Sequence, residues 1–391
     1  MNRDEDLPPE AVNEIDLRSE SQQITLDEAV LLEDVSAQPD PDAPDDPTTV
    51  TTRSPARVTK DDVAWPTDDA DAPDYAYLAA IADRATFELT PDSLETLLET
   101  GSYAPNRSNG LIAFALRGAA LTSGHEIEGV RRVTLENLRP DHRRFRCVIG
   151  FYLTASQTLN VYTGSTVPCR KAVAGYANGG SASNMLPTGL HTFYVWRHRR
   201  LRPALRLGKS ARDPETGALA TVLRSANNGQ METYDLFDLS RPLDNVHCSY
   251  FLTEQADEGA FFSSWGCLTV RGQKTPSEQW AKCQAVLDKL GEKTQVDLLL
   301  ATGKDAAVAA NPADRPLLTA LRHGSRGAEV ERLQRHLGIS QSGYLGARTL
   351  DKMTGAERAH NAASGLGRRA TGVYTPAMDA VTGWGVFDGS I

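Results

Sequence analysis

Between Leu111 and about residue 270 the chain is a succession of short strand-type segments, and that density of strands most limits the fold. Leu111–Arg117 (LIAFALR) is a continuous apolar run. Residues 147–153, 158–162, 190–196 and 219–224 follow, rich in β-branched and aromatic side chains and separated by Gly, Pro, Asn and Asp. Asn227-Asn-Gly229 is a tight-turn signal. Helices frame this region. Thr90-Pro-Asp-Ser predicts a helix start, with Pro91 in the first turn, Leu94, Leu97 and Leu98 on one face and Gly101 as the stop. Thr275-Pro-Ser-Glu278 is a capping box opening a second helix, along which Trp280, Cys283, Leu287 and Leu290 form one stripe before Gly291. That stripe makes Cys283 a core residue. Residues 296–300 predict one more buried strand.

Charge divides the chain unevenly. Residues 1–75 hold 21 Asp/Glu against 5 Lys/Arg, and the rest hold 30 against 36. The net charge of −10 is therefore a head of −16 on a body of +6. The head includes the Pro-Asp run at residues 38–47 and has no apolar periodicity, so it reads as a disordered acidic tail that could engage a protein partner. A short helix near residues 25–33 is its only structural signal. A charge of +6 over 316 residues is too dilute to argue for nucleic acid. No stretch approaches the roughly eighteen apolar residues of a membrane span. The first residues show no basic start followed by an apolar run, so no secretory leader is expected.

The five cysteines, Cys147, Cys169, Cys248, Cys267 and Cys283, form no CxxC pair. The segment from Asn245 to Arg271 combines His247 with Ser264-Trp-Gly-Cys267. Thiol catalysis needs a thiolate, a base that makes it and donors for an oxyanion. Cys267 is the candidate thiol and His247 the candidate base. The Trp265-Gly266-Cys267 turn is a candidate source of N–H donors, and Ser264 a candidate brace through its hydroxyl. The two would meet on neighbouring antiparallel strands joined by the polar loop 253–259. Trp265 could stack on a sugar ring or cap the core. His191 and His198 read as surface or hydrogen-bonded core residues, and no metal site or cofactor is called for.

This segment resembles the signature of the L,D-transpeptidase (YkuD-like) catalytic domain, in which a His is followed by a loop of about sixteen residues and Ser/Thr-His-Gly-Cys. Upstream, Phe151-Tyr-Leu-Thr-Ala-Ser-Gln-Thr-Leu-Asn-Val-Tyr162 resembles the family's opening hairpin, and Leu186-Pro-Thr-Gly189 with His191-Thr-Phe-Tyr-Val195 its Thr-Pro-x-Gly-x-Phe strand. The likeness covers about residues 145–272, with a partial tail to 301. It implies attack by Cys267 on a peptidoglycan stem peptide, with Cys248 orienting His247 through its backbone carbonyl. Two departures stand out. Trp265 replaces the usual His, and Thr269 stands where Arg or Asn holds the substrate peptide, a role Arg271 could take over.

The C-terminal region resembles the three-helix peptidoglycan-binding domain over about residues 317–384. Leu321-Arg-His-Gly-Ser-Arg-Gly-Ala-Glu-Val-Glu-Arg-Leu-Gln334 matches its opening, and Gly343-Tyr-Leu-Gly-Ala-Arg-Thr349 and Gly372-Val-Tyr-Thr375 match its loops. The resemblance makes Tyr344, Arg348, Thr349 and Tyr374 candidate wall contacts. His360-Asn361 departs from the usual Phe-Gln. Helices are expected near residues 329–337, 347–353 and 374–381. The expected organisation is an α+β multidomain protein: a disordered tail (1–75), a mostly-β catalytic domain with an N-terminal extension (76–301), a linker (302–316) and a small all-α domain (317–391). The expected partner is peptidoglycan, at the cell wall or periplasm, reached without a leader in the manner of a phage tail or injection device. The alternatives are a wall-binding protein that has lost its chemistry and a wall-degrading component of such a device.

Overall fold

The computed structural model describes residues 57–59, 61–65, 78, 86–178, 183–198, 201–208, 221–224, 237–239, 244–249, 264–272, 278–364 and 370–387. The chain enters through β1 (Thr86–Leu89), α1 (Pro91–Thr100), β2 (Leu111–Arg117), β3 (Ala119–Leu121), β4 (Ile127–Val130) and β5 (Val133–Asn137). Then come β6 (Cys147–Leu153), β7 (Thr158–Ser165), α2 (Arg170–Ala177), β8 (Asn184–Met185), β9 (Gly189–His198) and β10 (Leu201–Leu207). The site region holds β11 (Thr221–Arg224), β12 (Phe237–Leu239), β13 (Asn245–Cys248), β14 (Leu268–Val270) and α3 (Gln279–Asp288). The chain ends with β15 (Gln295–Thr302), α4 (Gly303–Ala310), a 3-10 turn (Arg315–Leu318), α5 (Ala328–His336), α6 (Ala347–Ala363) and α7 (Pro376–Thr382). No helix among the described residues is long and apolar enough to cross a membrane.

The fold is α+β and is organised round a closed β-barrel. Eight strands run in the order β14-β13-β10-β9-β15-β2-β6-β7, and β7 pairs back with β14 to complete the ring. β4 pairs with the first half of the β7 edge whose second half takes β14. Closure removes the sheet edges that would otherwise need cover. Every barrel strand sends apolar residues into one cluster, among them Ala113, Ile149, Phe193, Val246, Leu268 and Leu298, so this cluster is the lumen. Trp280, Cys283 and Leu287 of α3 join it, and Cys283 is a core residue as its stripe predicts. The α3 helix begins at Gln279 with Glu278 as its cap. Residues 275–277 of the expected capping box lie outside the described residues, as do the 227–229 turn and the 25–33 helix.

The opposite face of the same strands is also covered. Ile112, Phe114, Leu116 and Val148 pack with α1, α4 and the small β1-β5-β3 sheet. That explains why every residue of β2 is buried: a strand covered on both sides reads as a continuous apolar run. Closure itself requires a glycine. A Cβ on Gly164 in β7 would lie 2.5 Å from the carbonyl oxygen of Thr269 in β14.

Two expectations change. Residues 302–316 do not form an open linker. Thr302 and Asp305 make a capping box, and α4 buries Ala306, Val308 and Ala309. The alanines that made the segment look featureless are what let it pack closely. The acidic head also contributes to the core before residue 75. Val63 and Trp65 are buried, and Asp61 pairs with Arg170 of α2 at 3.1 Å. These two apolar side chains follow an acidic pair and are hidden from a charge count.

The C-terminal helices α5, α6 and α7 form where the periodicity places them, although α6 runs to Ala363, well beyond residue 353. Their core of Val330, Leu333, Leu350, Met353 and Tyr374 also takes in Val167 and Met185. Polar contacts join this region to the barrel and to the helices that cover it. Asp305 accepts from both terminal nitrogens of Arg322 at 2.7 and 3.1 Å. Ser325 donates to the Gly101 carbonyl at 2.7 Å, and Leu190 N–H donates to the His323 carbonyl at 2.9 Å.

At this junction the rings of His191 and His323 stack with centroids 4.6 Å apart. Both are buried. Burial lowers His191 to about 4 and holds His323 well below its ordinary value. Both are therefore neutral in the native protein, whereas the unfolded chain takes up protons near pH 6.5. Their contribution to stability is present above that pH and is lost as pH falls from 6.5 through 4. For His191 the effect is about 3 kcal/mol. Neither nitrogen of His323 has a hydrogen-bond partner, so His323→Phe should leave stability at pH 7 within about 1 kcal/mol of wild type. It should also flatten the loss of stability between pH 6.5 and 4 in urea titrations. A variant as acid-sensitive as wild type would contradict this reading.

Candidate active site

The site sits where β13 and β14 lie side by side. They are parallel, with Val246 opposite Leu268, His247 opposite Thr269 and Cys248 opposite Val270. The antiparallel arrangement expected from the sequence is thus corrected. A parallel pair needs a crossover of about a dozen residues or more, and the stretch between Cys248 and Leu268 is long enough. Residues 253–259 of that stretch lie outside the described residues.

Strand alternation decides which side chains meet. Val246, Cys248, Leu268 and Val270 point into the barrel lumen. His247 and its partner Thr269 therefore face outward. Cys267, two residues before Thr269, shares their side, as does Asn245, two before His247. The Asn245 carboxamide nitrogen lies 3.9 Å from the Cys267 sulfur, which places the thiol at this outer face.

The turn ahead of β14 is held at several points. The Ser264 hydroxyl donates to the Cys267 carbonyl at 2.6 Å and accepts from Gly266 N–H at 3.2 Å. Cys169 N–H, at the start of α2, donates to the Ser264 carbonyl at 2.9 Å, and Asn184 N–H to the Trp265 carbonyl at 3.3 Å. Gly266 leaves room for two polar side chains. A Cβ there would meet Asn184 Oδ1 at 2.3 Å and Asp244 Oδ1 at 2.9 Å. Asn184 in turn donates to Asp244 at 2.8 Å. Ser264 is a brace, as its place in the motif implies. Gly266 acts through its lack of a side chain, because its N–H is engaged by Ser264.

His247 is buried, and its Nδ1 lies 2.6 Å from the Cys248 carbonyl oxygen. A carbonyl oxygen only accepts, so Nδ1 carries the proton of the neutral ring and the lone pair lies on Nε2. That is the tautomer a general base needs. The Cys248 thiol itself is buried and points to the lumen.

Of the five cysteines, only Cys267 is not buried. Burial pushes the thiols of Cys147 and Cys283 up, and that of Cys169 to about 11. Those three are poor nucleophiles at neutral pH. Among the described residues no group of three His, Cys, Asp or Glu could hold a metal ion.

No family model, curated protein or solved structure matches the chain.

Trp265 packs with Phe145, Cys169 and Ala172, its ring close to Gly175 of α2, so it braces the turn. Thr269 is fully buried and pairs with Ser165 of β7. Arg271 is half-buried, and its N–H donates to the Thr163 carbonyl at 2.8 Å. Tyr344, Thr349 and Tyr374 are buried. Tyr344 lies under the Arg326 guanidinium, 4.3 Å from its ring. Thr349 accepts from Gln334 at 3.0 Å, and the Tyr374 hydroxyl donates to Asp379 at 2.9 Å. These three tie the C-terminal helices together, whereas Arg348 is half-buried. Asn245, Asp244 and Asn184 were missed in the sequence. Only Asn245 had a readable signal, its spacing of two from His247 in a strand.

In native protein, a thiol reagent such as DTNB should titrate one cysteine rapidly and the other four only on unfolding. Cys267→Ala should abolish the fast phase, and a fast phase that persists would contradict the site.

Proposed function

We propose that the protein is a cysteine-dependent enzyme acting on peptidoglycan stem peptides, an L,D-transpeptidase or a related peptidase. The observation that supports this most is the outer face of β13, where the register turns His247 outward with its tautomer held by the Cys248 carbonyl and where the Cys267 sulfur lies 3.9 Å from the Asn245 amide. In this reading the barrel is a YkuD-like catalytic domain and helices α5–α7 are a three-helix peptidoglycan-binding domain.

The chemistry follows from the groups present. His247 takes the Cys267 proton, and the sulfur attacks the carbonyl carbon of an L,D peptide bond. The tetrahedral intermediate collapses as the amine leaves, and His247 returns the proton to that amine. A thioester remains on Cys267. An amine of a neighbouring stem resolves it as a crosslink, and water resolves it as a hydrolysed stem. The C-terminal region, with nine Lys/Arg against six Asp/Glu over residues 317–391, does not oppose an anionic wall polymer.

Purified protein incubated with sacculi should yield shortened stems or new crosslinks in the muropeptide profile. Cys267→Ala should lose them by at least about a thousandfold, as expected when a nucleophile is removed, while still pelleting with sacculi. Arg348→Glu should weaken pelleting and leave thiol reactivity intact. An unchanged muropeptide profile with wild-type protein that still pellets would replace the enzyme reading with that of a wall-binding protein.

A further inference from the structure

We propose that Asn245 is a further catalytic residue of this site, donating a hydrogen bond from its side-chain amide to the Cys267 sulfur and so stabilising the thiolate. The inference deepens the reading of Cys267 as nucleophile and rests on it, but its test needs no peptidoglycan.

Three observations carry it. The Asn245 Nδ2 lies 3.9 Å from the sulfur, within reach of a donor to a large acceptor atom. The side chain is buried and stands on the outer face of β13, two residues from His247, so the donor is held in place on the face that carries the thiol. Its sequence neighbour Asp244 brings a carboxylate to the same turn, next to Gly266. That negative charge opposes a thiolate, and a neutral donor aimed at the sulfur offsets it without adding a group that titrates.

Among the described residues, the elements that flank this turn carry several charged or titratable groups. His247 is on β13, Asp244 precedes it and bonds Asn184, Arg206 of β10 stands opposite Asn245, and Arg271 follows β14. Arg170 of α2, whose N-terminus holds the Ser264 carbonyl, is paired with Asp61. A thiolate accepts a hydrogen bond more strongly than a thiol does, so the amide shifts the ionisation of Cys267 towards the anion. The proton released goes to His247 or to solvent, and no bond to Asn245 is made or broken.

The test is the pH profile of Cys267 alkylation by iodoacetamide in the intact protein, read by mass spectrometry. Asn245→Ala should raise the midpoint by about one unit, the size expected for one hydrogen bond to a charged group. Asn245→Asp keeps the shape and exchanges the donor for an anion, so it should raise the midpoint at least as far. A folded Asn245→Ala variant whose profile superimposes on wild type overturns the assignment, whatever the Asp variant does. If the Ala variant does not fold, an Asp variant with the wild-type midpoint overturns it. His247→Ala in the same assay separates the two ideas: an unshifted midpoint there argues against His247 as the base and leaves the Asn245 result standing.

Discussion

The pairing of β7 with β14 is the contact on which the rest of the molecule turns. It closes the barrel, and it fixes β14 between β7 on one side and β13 on the other. Once β14 is held on both sides, its register is set, and a slip by one residue would turn Cys267 into the lumen and Leu268 out of it. The closure tolerates no side chain at Gly164, where two backbones meet. The short strand that follows the thiol is thus held on both sides within the barrel.

The site then divides the labour between burial and exposure. The inward face of β13 and β14 supplies packing, through Val246, Cys248, Leu268 and Val270. The outward face supplies polar groups. Cys248 serves both, its thiol inside the barrel and its carbonyl holding the imidazole of His247. The three cysteines whose ionisation burial suppresses are packing residues, and the half-exposed Cys267 lies under a turn that Ser264, Asn184 and α2 hold from three directions. If the proposed chemistry holds, a thiol mounted in this way is oriented before any substrate arrives, which lowers the entropic part of a reaction barrier.

The elements that the sequence revealed are those whose signal is local. β2 and β6 appear at their full length because continuous apolar runs need no partner to be recognised, and α1 is announced by its cap, its leucine stripe and Gly101. The turn at Ser264–Cys267 is local in the same way, its hydroxyl-to-backbone contacts spanning three residues. What escaped depends on distant parts of the chain. Ring closure and the parallel β13–β14 pairing are choices of partner that no local pattern encodes. The segment 302–316 looked like a linker because its alanines carry little hydrophobic signal, yet small side chains are what let α4 pack against α1 and β1. Val63 and Trp65 were hidden within the acidic head. Tyr344, Thr349 and Tyr374 were matched to a loop motif, while their burial depends on how α5, α6 and α7 come together.

The central claim is that one imidazole on β13 activates one sulfur at the head of β14. It is tested most directly by intact-mass spectrometry of the full-length protein after brief exposure to a soluble peptidoglycan stem peptide, quenched in acid to preserve a thioester. A mass increase equal to the acyl fragment, located on Cys267 and absent from the Cys267→Ala and His247→Ala proteins, is the result predicted. No adduct on wild-type protein in which Cys267 still alkylates rapidly, or an adduct on a different residue, would contradict it.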